Sequence, residues 1–307
     1  MILIGLSIKH NTPHVRSEGM EIEIRPLIKT DIPNVIELTK GVWGGHDHLP
    51  KIVNGWLSSP NCHPMVLDYD GELAAVANLK AIDAGYTGWM EGMRVHSTFR
   101  EKGLAKHMTN RLVEMASEIG FKRIRLVTSG ENEAPQKLAR SVGMEVIDRF
   151  SVFWKRYGRG TKWVEYNDSI VKASVTQVLN FTQSHPELFP SHSIVFHWDV
   201  FDLTLQNIKS IKSKADFYVI KNELGVGFSL GFQNDIPPEP EWCFTVHASS
   251  FPIFESLLNF HLKKARDQGL RDFLCIHQPE FKSQYNKVRW LKRRAHELDL
   301  LLFERIF

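Results

Sequence analysis

Apolar and polar residues alternate from Glu21, with Ile22 and Ile24 on one side and then Leu27, and this pattern predicts a strand over 21–28. Thr30 and Asp31 then offer an N-cap, and Ile32-Pro33 opens a helix whose apolar positions are Ile32, Val35, Ile36 and Leu38. A second helix is expected over 50–57. Strands over 64–69 and 72–82 flank the turn pair Asp70-Gly71 and make a hairpin. Ala84-Gly85 marks another turn, and 86–96 reads as a fourth strand. From Leu104 the period lengthens: Leu104, Met108, Leu112, Met115, Ala116 and Ile119 recur at helical spacing, and Gly120 ends the helix as a C′ residue does. A strand over 121–129, a short helix over 133–141 closed by Gly143, and a strand or pair of strands over 145–156 complete the series. The order is that of an α+β fold: a mixed sheet crossed by one long helix, not a doubly wound parallel sheet.

Residues 157–161 contain Gly158 and Gly160 and read as a linker. Beyond it, strands are expected over 215–221, 225–232 and 242–247. A helix over 254–268 carries Phe254, Leu257, Leu258, Leu262 and Ala265 and ends at Gly269; a strand over 270–277 follows. This second series echoes the first. Val95-His96 precedes one helix and Val246-His247 the other, with 120 − 95 = 25 and 269 − 246 = 23 residues to the closing glycine. The matched order favours a duplicated unit. The expected domains are an extension over 1–19, which is either an added strand or dispensable, a first domain over 20–156 and a second over 162–307.

Composition narrows the field. A chain of 307 residues has room for one large or two ordinary domains, and 43% hydrophobic with 24% charged residues excludes a disordered or fibrous chain. A net charge of +3 is too small to argue for nucleic acid but leaves cations for a phosphorylated small molecule. No apolar run approaches the length of a membrane span, and the apolar start at 1–8 is too short for a signal peptide. Cys62, Cys243 and Cys275 are scattered and odd in number, and their spacing fits neither zinc nor a disulfide framework. A reducing, cytoplasmic setting is expected.

The chemistry concentrates in Val95-His96-Ser97-Thr98-Phe99-Arg100-Glu101-Lys102-Gly103-Leu104-Ala105. A strand ends, a short loop carries two cations and a glycine, and a long helix begins. A helix N-terminus presents unpaired amides and a partial positive charge, which suits phosphate. Gly103 lets the backbone approach an anion, and Arg100 and Lys102 add full charges. The same segment in isolation would also suit an ordinary strand-to-helix turn.

The pattern Arg-x-x-Gly-x-Ala resembles the pyrophosphate-binding loop of GCN5-related N-acetyltransferases, in which Gln or Arg is followed by two residues, Gly, one residue, and Gly or Ala. The flanking elements run in that family's order over nearly all of 20–156. The resemblance implies the GNAT acyl-CoA N-acyltransferase fold and acetyl-CoA as co-substrate. It places the CoA diphosphate on the amides of Lys102, Gly103, Leu104 and Ala105 beside Arg100, and the pantetheine arm between the strands ending at His96 and Ser129. The amide of Met93 or Val95 would face the thioester oxygen, and Asn132 matches a frequent CoA contact. Glu91, four residues before Val95, occupies a place where the family carries a catalytic Glu or His, and a general base is needed because a protonated amine cannot attack a thioester. The plain alternatives are a Glu on a solvent-facing strand edge or one held by Arg94. The family's usual Tyr acid falls at Ala139, so that group is missing; a thiol with a pKa of about 8.5 is a fair leaving group without it.

A second segment, Val42-Trp43-Gly44-Gly45-His46-Asp47-His48-Leu49-Pro50 followed by Trp56, resembles the Trp-Gly-Gly-x-Asp-x-Leu-Pro stretch of the histidine N-acetyltransferase group, which also has a degenerate second half. That resemblance implies the α-amine of free L-histidine as acceptor and N-acetylhistidine as product. Trp43 and Trp56 would stack an imidazole or wall the pocket, and Asp47 would bind an ammonium or imidazole N–H; the plain reading of both tryptophans is core. His46-Asp47-His48 lacks a distant third ligand, so no metal is expected. Cys62-His63 is set aside as a covalent pair, because the family transfers the acetyl group directly. In the second half the loop position, Ser249-Ser250-Phe251-Pro252-Ile253-Phe254, has no glycine and no cation, and Pro252 removes an N–H. That half is expected not to bind CoA but to pack on the first and help wall the acceptor pocket. The basic run Lys287, Arg289, Lys292, Arg293, Arg294 reads as the solvated side of a helix. The alternatives are a related enzyme with another small amine, amino acid or protein amine as acceptor, or a non-catalytic CoA-binding or scaffold protein. No nucleic-acid or membrane partner is expected, and the sequence leaves the oligomeric state open.

Overall fold

The computed structural model describes residues 14–17, 20–40, 42, 47–156, 169–235, 240–288, 291 and 296–307. The linker expected at 157–161 lies outside them, as do Arg289, Lys292, Arg293 and Arg294 of the basic run. The chain forms two compact units. One is built from Met1–Ala81, Tyr86–Ile124 and Ile306–Phe307, the other from Ile82–Gly85 and Arg125–Arg305.

In the first unit β1 (His14–Ser17), β2 (Met20–Pro26), β3 (Cys62–Tyr69) and β4 (Glu72–Ile82) pair antiparallel in that order, and β5 (Thr87–Val95) follows β4. Part of the N-terminal stretch is therefore an added strand. The β3–β4 turn has Asp70 at φ 51° and Gly71 at φ 81°, the left-handed pair that a two-residue hairpin demands. Asp70 also accepts a 2.9 Å hydrogen bond from the Glu21 amide, which ties the turn to β2. Ala74, Ala75, Val76, Ala77 and Leu79 of β4 are fully buried, so this strand reads as a continuous apolar run rather than an alternation.

The helices α1 (Ile32–Leu38), α2 (Leu49–Ser58) and α3 (Leu104–Ile119) cover this sheet's core. Leu27, Val35, Leu38, Leu49, Val53, Trp56, Val66 and Val76 form one buried cluster; each such aliphatic side chain contributes about 1.5–3 kcal/mol on burial. The expected cap of α1 differs. Asp31 makes no side-chain bond to the helix. Its carboxylate instead accepts from the Ile28 amide at 2.9 Å and from Arg25 Nη1 at 2.7 Å and Nη2 at 3.0 Å, because a guanidinium at the end of β2 outcompetes a helix amide. α3 buries Leu104, Met108, Leu112, Met115 and Ala116, and Gly120 closes it at φ 92°.

The second unit contains β6 (Arg123–Ser129) from its third residue, α4 (Glu133–Ser141), β7 (Glu145–Arg156), β8 (Val171–Ala173), α5 (Val175–Ser184), β9 (Ser193–Phe196), β10 (Asp199–Asp202), α6 (Leu205–Lys212), β11 (Asp216–Asn222), β12 (Gly225–Asn234), β13 (Glu241–Ala248), α7 (Phe251–Asp267), β14 (Asp272–His277) and β15 (His296–Ile306). Its sheet runs β6-β15-β7-β14-β13-β12-β11-β8, and β9 and β10 make a separate hairpin. β7 is one strand, and its partner on one side is the C-terminal strand β15. On its other side lies β14, which pairs in parallel with β13. Buried Arg125 is answered within this unit by Asp202 at 2.9 Å and Glu304 at 2.7 Å, as an interior charge requires. Lys287, the described member of the basic run, ends a 3-10 helix over Pro279–Lys287. No helix among the described residues is long and apolar enough to cross a membrane.

Candidate active site

The candidate residues of the first unit gather at the end of β5 and the start of α3. Gly92 sits within β5 at φ 68°, a left-handed residue that interrupts the regular strand. Glu91, Met93, Arg94 and Val95 flank it, all half-buried. Beyond β5, His96 accepts a bond from the Thr98 amide and opens a 3-10 turn over Ser97–Phe99. Glu101 at φ 66° and Gly103 at φ 76° then turn the chain into α3.

Gly103 is the N-cap of α3, and no side chain caps it. The first amide held inside the helix is that of Lys106, which donates to the Gly103 carbonyl at 2.9 Å. Among the described residues nothing accepts from the amides of Lys102, Gly103, Leu104 or Ala105. Four adjacent donors thus stand open at the positive end of a sixteen-residue helix. A Cβ on Gly103 would meet no atom within 4 Å, so backbone conformation and not crowding selects glycine here. Lys102 lies with Nζ 4.5 Å from the Tyr69 ring centre and 5.4 Å from that of Phe99, which holds its ammonium at the loop. Arg100 is exposed and has no ion-pair partner among the described residues.

Glu91 is supported from the neighbouring strand β4. Its Oε1 accepts a 2.8 Å bond from Asn78 Nδ2, and its Oε2 lies 3.9 Å from Lys80 Nζ. Asn78 is fully buried, and its Oδ1 has no hydrogen-bond partner. An orphaned acceptor beside a carboxylate in a closed strand is costly, about 1–3 kcal/mol, unless something donates to it. Sequence reasoning missed Asn78 and Lys80. The available signal was one amide inside the apolar run Ala74-Ala75-Val76-Ala77-Asn78-Leu79.

Arg94 clasps Asp47, with Nε 2.7 Å from Oδ2 and Nη2 3.1 Å from Oδ1. The Leu49 amide, first in α2, donates to the same carboxylate at 3.0 Å. Burial would push the Asp47 carboxyl up, but the Arg94 bonds, the Leu49 amide and the charges of Arg94 and His48 outweigh it and hold it below the usual carboxylate range. Burial and the Arg94 charge push the His48 imidazole down. Asp47 therefore spends its lone pairs on pinning the start of α2 to β5. Trp56 is 4% exposed and belongs to the core, with its indole against Gly92. Trp43 and His46 lie outside the described residues. Cys62 and His63 are neighbours on β3, whose successive side chains point to opposite faces, so they do not form a pair.

Asn132 and Ala139 belong to the second unit. Asn132 is exposed and stands before α4 without a side-chain cap bond, and Ala139 is 1% exposed within α4. The loop position of the second series also differs in detail from that at Gly103. Ser250 Oγ accepts from the Ile253 amide, Pro252 occupies the first turn of α7, and the Ala248 amide donates to Gln278 Oε1 at 2.7 Å. There the Ser249 amide donates to the Val226 carbonyl at 2.9 Å and Pro252 has no N–H to offer, so the row of four open donors is not repeated.

The fold and these open amides define a class: a mixed α+β sheet in which a bent strand hands over to a long helix through an anion-receiving turn. Residues 32–144 match the Acetyltransferase (GNAT) family, and the chain contains a domain of that family. Human probable N-acetyltransferase 16 is 33% identical over 92 residues, 28% of this chain and 25% of that one. Histidine N-acetyltransferase of Xenopus tropicalis is 26% identical over 85 residues, 28% and 26% of the two chains. The matched segment thus spans about a quarter of the length of these relatives. Aminoglycoside N(6')-acetyltransferase type 1 of Salmonella enteritidis is 24% identical over 144 residues, 44% of this chain and 99% of that one. Among solved structures, a GCN5-related N-acetyltransferase from Sphaerobacter thermophilus superposes with a TM-score of 0.59 at 12% identity, covering 93% of this chain and 95% of that one. A tandem GNAT protein from the clavulanic acid biosynthesis pathway gives 0.57 at 11% identity, covering 93% and 98%. At these identities the two structures speak for the fold alone.

Proposed function

We propose that the chain is an acetyl-CoA-dependent N-acetyltransferase whose acceptor is the α-amine of a free amino acid, with L-histidine first and N-acetylhistidine as product. The observation that carries the reading is the set of open amides from Lys102 to Ala105 at the start of α3. Four donors in a row, with Arg100 beside them, fit a diphosphate. The co-substrate supplies an acetyl group activated as a thioester.

Glu91 takes the proton that an ammonium must lose before its nitrogen can attack. Asn78 Nδ2 and Lys80 hold that carboxylate in position. The new C–N bond forms on the acetyl carbon as the C–S bond breaks. The electron pair leaves on sulfur, and the thiolate takes its proton from water, so Ala139 is no obstacle. Asp47 serves the acceptor side by fixing the start of α2 through Arg94. Within this reading, 20–156 is the catalytic domain, 162–307 is a degenerate second GNAT-like half without its own CoA loop, and the protein works on small molecules in the cytoplasm.

Likeness to a histidine N-acetyltransferase supports the first acceptor, and likeness to an aminoglycoside acetyltransferase over nearly all of that enzyme supports a different small amine as the second reading. A thiol-release assay over the twenty free amino acids, several arylalkylamines and an aminoglycoside decides between them. The reading predicts turnover with histidine. Turnover of another amine with none for histidine would replace the acceptor, and no turnover together with no acetyl-CoA binding would end the enzymatic reading.

A further inference from the structure

The second unit holds a cluster that acetyl transfer does not use. His197 and Trp198 form the two-residue turn of the β9–β10 hairpin, between the paired residues Phe196 and Asp199. His197 sits at φ 57°, in the left-handed region where such turns ordinarily carry Gly, Asn or Asp. Its ring reaches the first residues of β13, where Glu241 and Cys243, two apart on a strand, share a face.

We propose that His197, Glu241 and Cys243 form a binding site for one borderline-soft divalent cation of the zinc type. One ligand atom from each residue lies within 4.8 Å of the other two. Cys243 Sγ is 3.5 Å from Glu241 Oε1. In a tetrahedral site with bonds of about 2.0–2.3 Å, adjacent ligand atoms are roughly 3.3–3.8 Å apart, so a small contraction would close the set. A nitrogen, an oxygen and a sulfur together select zinc, cobalt or nickel over magnesium or calcium.

The Asn234 amide reaches two of these groups. Asn234 Nδ2 lies 3.2 Å from Glu241 Oε1 and 3.5 Å from His197 Nε2, at the long end of hydrogen bonding. A cation at the centre replaces a shared, stretched N–H with direct bonds, while Asn234 turns aside and water fills the fourth position. Cys243 is 1% exposed and loses its S–H proton to solvent on binding, while half-buried His197 and Glu241 leave a way in. The ion would clip the two-stranded hairpin onto the large sheet of the same unit. Local spacing cannot show this, because the ligands come from a hairpin turn and from a strand more than forty residues later.

The test uses the full chain, stripped with chelator and titrated with Co2+ and then Zn2+. The expected result is one bound Co2+ with a thiolate-to-cobalt charge-transfer band, bleached by Zn2+. Cys243→Ser should abolish the band. His197→Gly should weaken Co2+ binding by at least about tenfold, yet raise the thermal midpoint of the metal-free protein, because glycine accepts the left-handed turn without strain. No thiolate band at saturating Co2+, a band that survives Cys243→Ser, or an unchanged Co2+ affinity in His197→Gly would overturn the site and leave a hydrogen-bond cluster around Asn234.

Discussion

A methyl group on Gly92 would stand 2.3 Å from Cη2 of Trp56 and 2.7 Å from Cζ2. The indole, fixed in the core of the first unit, therefore sets the course of β5 at the residue that separates Glu91 from Met93. Gly92→Ala should lose stability by about 2–4 kcal/mol, part from the clash and part from the left-handed backbone. Urea unfolding measures it, and a loss below about 0.5 kcal/mol would show that Trp56 yields freely.

Asp47 and Arg94 act as a buried unit, with side chains 2% and 15% exposed. Asp47→Ala removes the carboxylate to which Arg94 Nε and Nη2 donate and should cost about 3–5 kcal/mol, whereas replacing both residues together should cost less than the sum. The carboxyl is held low in the folded state, so its contribution is present above the unfolded carboxylate range and disappears as pH falls through the folded value. A double-mutant cycle that adds without coupling would deny the clasp.

Three buried histidines give the second unit an acid-sensitive core. Burial pushes His247 down to about 4, His261 to about 3 and His277 to about 4, from 6.5. His247 donates to the Leu188 carbonyl, His261 Nδ1 accepts from Trp242 Nε1, and His277 bridges the Gln278 carbonyl and the Tyr285 hydroxyl. Below pH 6.5 the unfolded chain binds protons that the folded chain refuses. Stability from this source is complete above that pH and drains away as pH falls toward 4. Urea unfolding should show at least about 1 kcal/mol lost between pH 7 and pH 5. A flat profile would contradict these neutral imidazoles.

Asn78 and Glu91 make a separable prediction about rate. Glu91→Gln should lower turnover at least about a hundredfold with acetyl-CoA affinity unchanged. Asn78→Asp sets two carboxyl groups at hydrogen-bond distance, which cannot both ionise, so the pH–rate profile should move to higher pH. Unchanged turnover of Glu91→Gln across pH would remove Glu91 from the chemistry.

Much of this was readable in the sequence where one period governs one element. The bounds of β4, α3, α4 and β7 follow directly from their patterns, because each has a single buried face or a single apolar run between strong turn residues. α5, α6, β8, β9 and β10 were not anticipated, since their short apolar stretches sit among polar residues without a clear period. β15 was hidden for another reason: Leu300, Leu301, Leu302 and Phe303 are all buried, so it carries a continuous run that fits strand or helix equally, next to a basic stretch that favoured helix. At the site, the turn at Gly103 is a local feature and could be read. The partner of Asp47 lies 47 residues away, and the support for Glu91 comes from a neighbouring strand, so neither could be.

Isothermal calorimetry of acetyl-CoA with the full chain and with Gly103→Glu bears most directly on the open amides before α3. The wild-type chain should bind with a single site. Gly103→Glu, which places a carboxylate among donors meant for a diphosphate, should reduce the affinity at least about a hundredfold while the fold is retained by circular dichroism. Equal affinity for the two proteins, or no binding by the wild type at near-millimolar acetyl-CoA, would contradict the assignment.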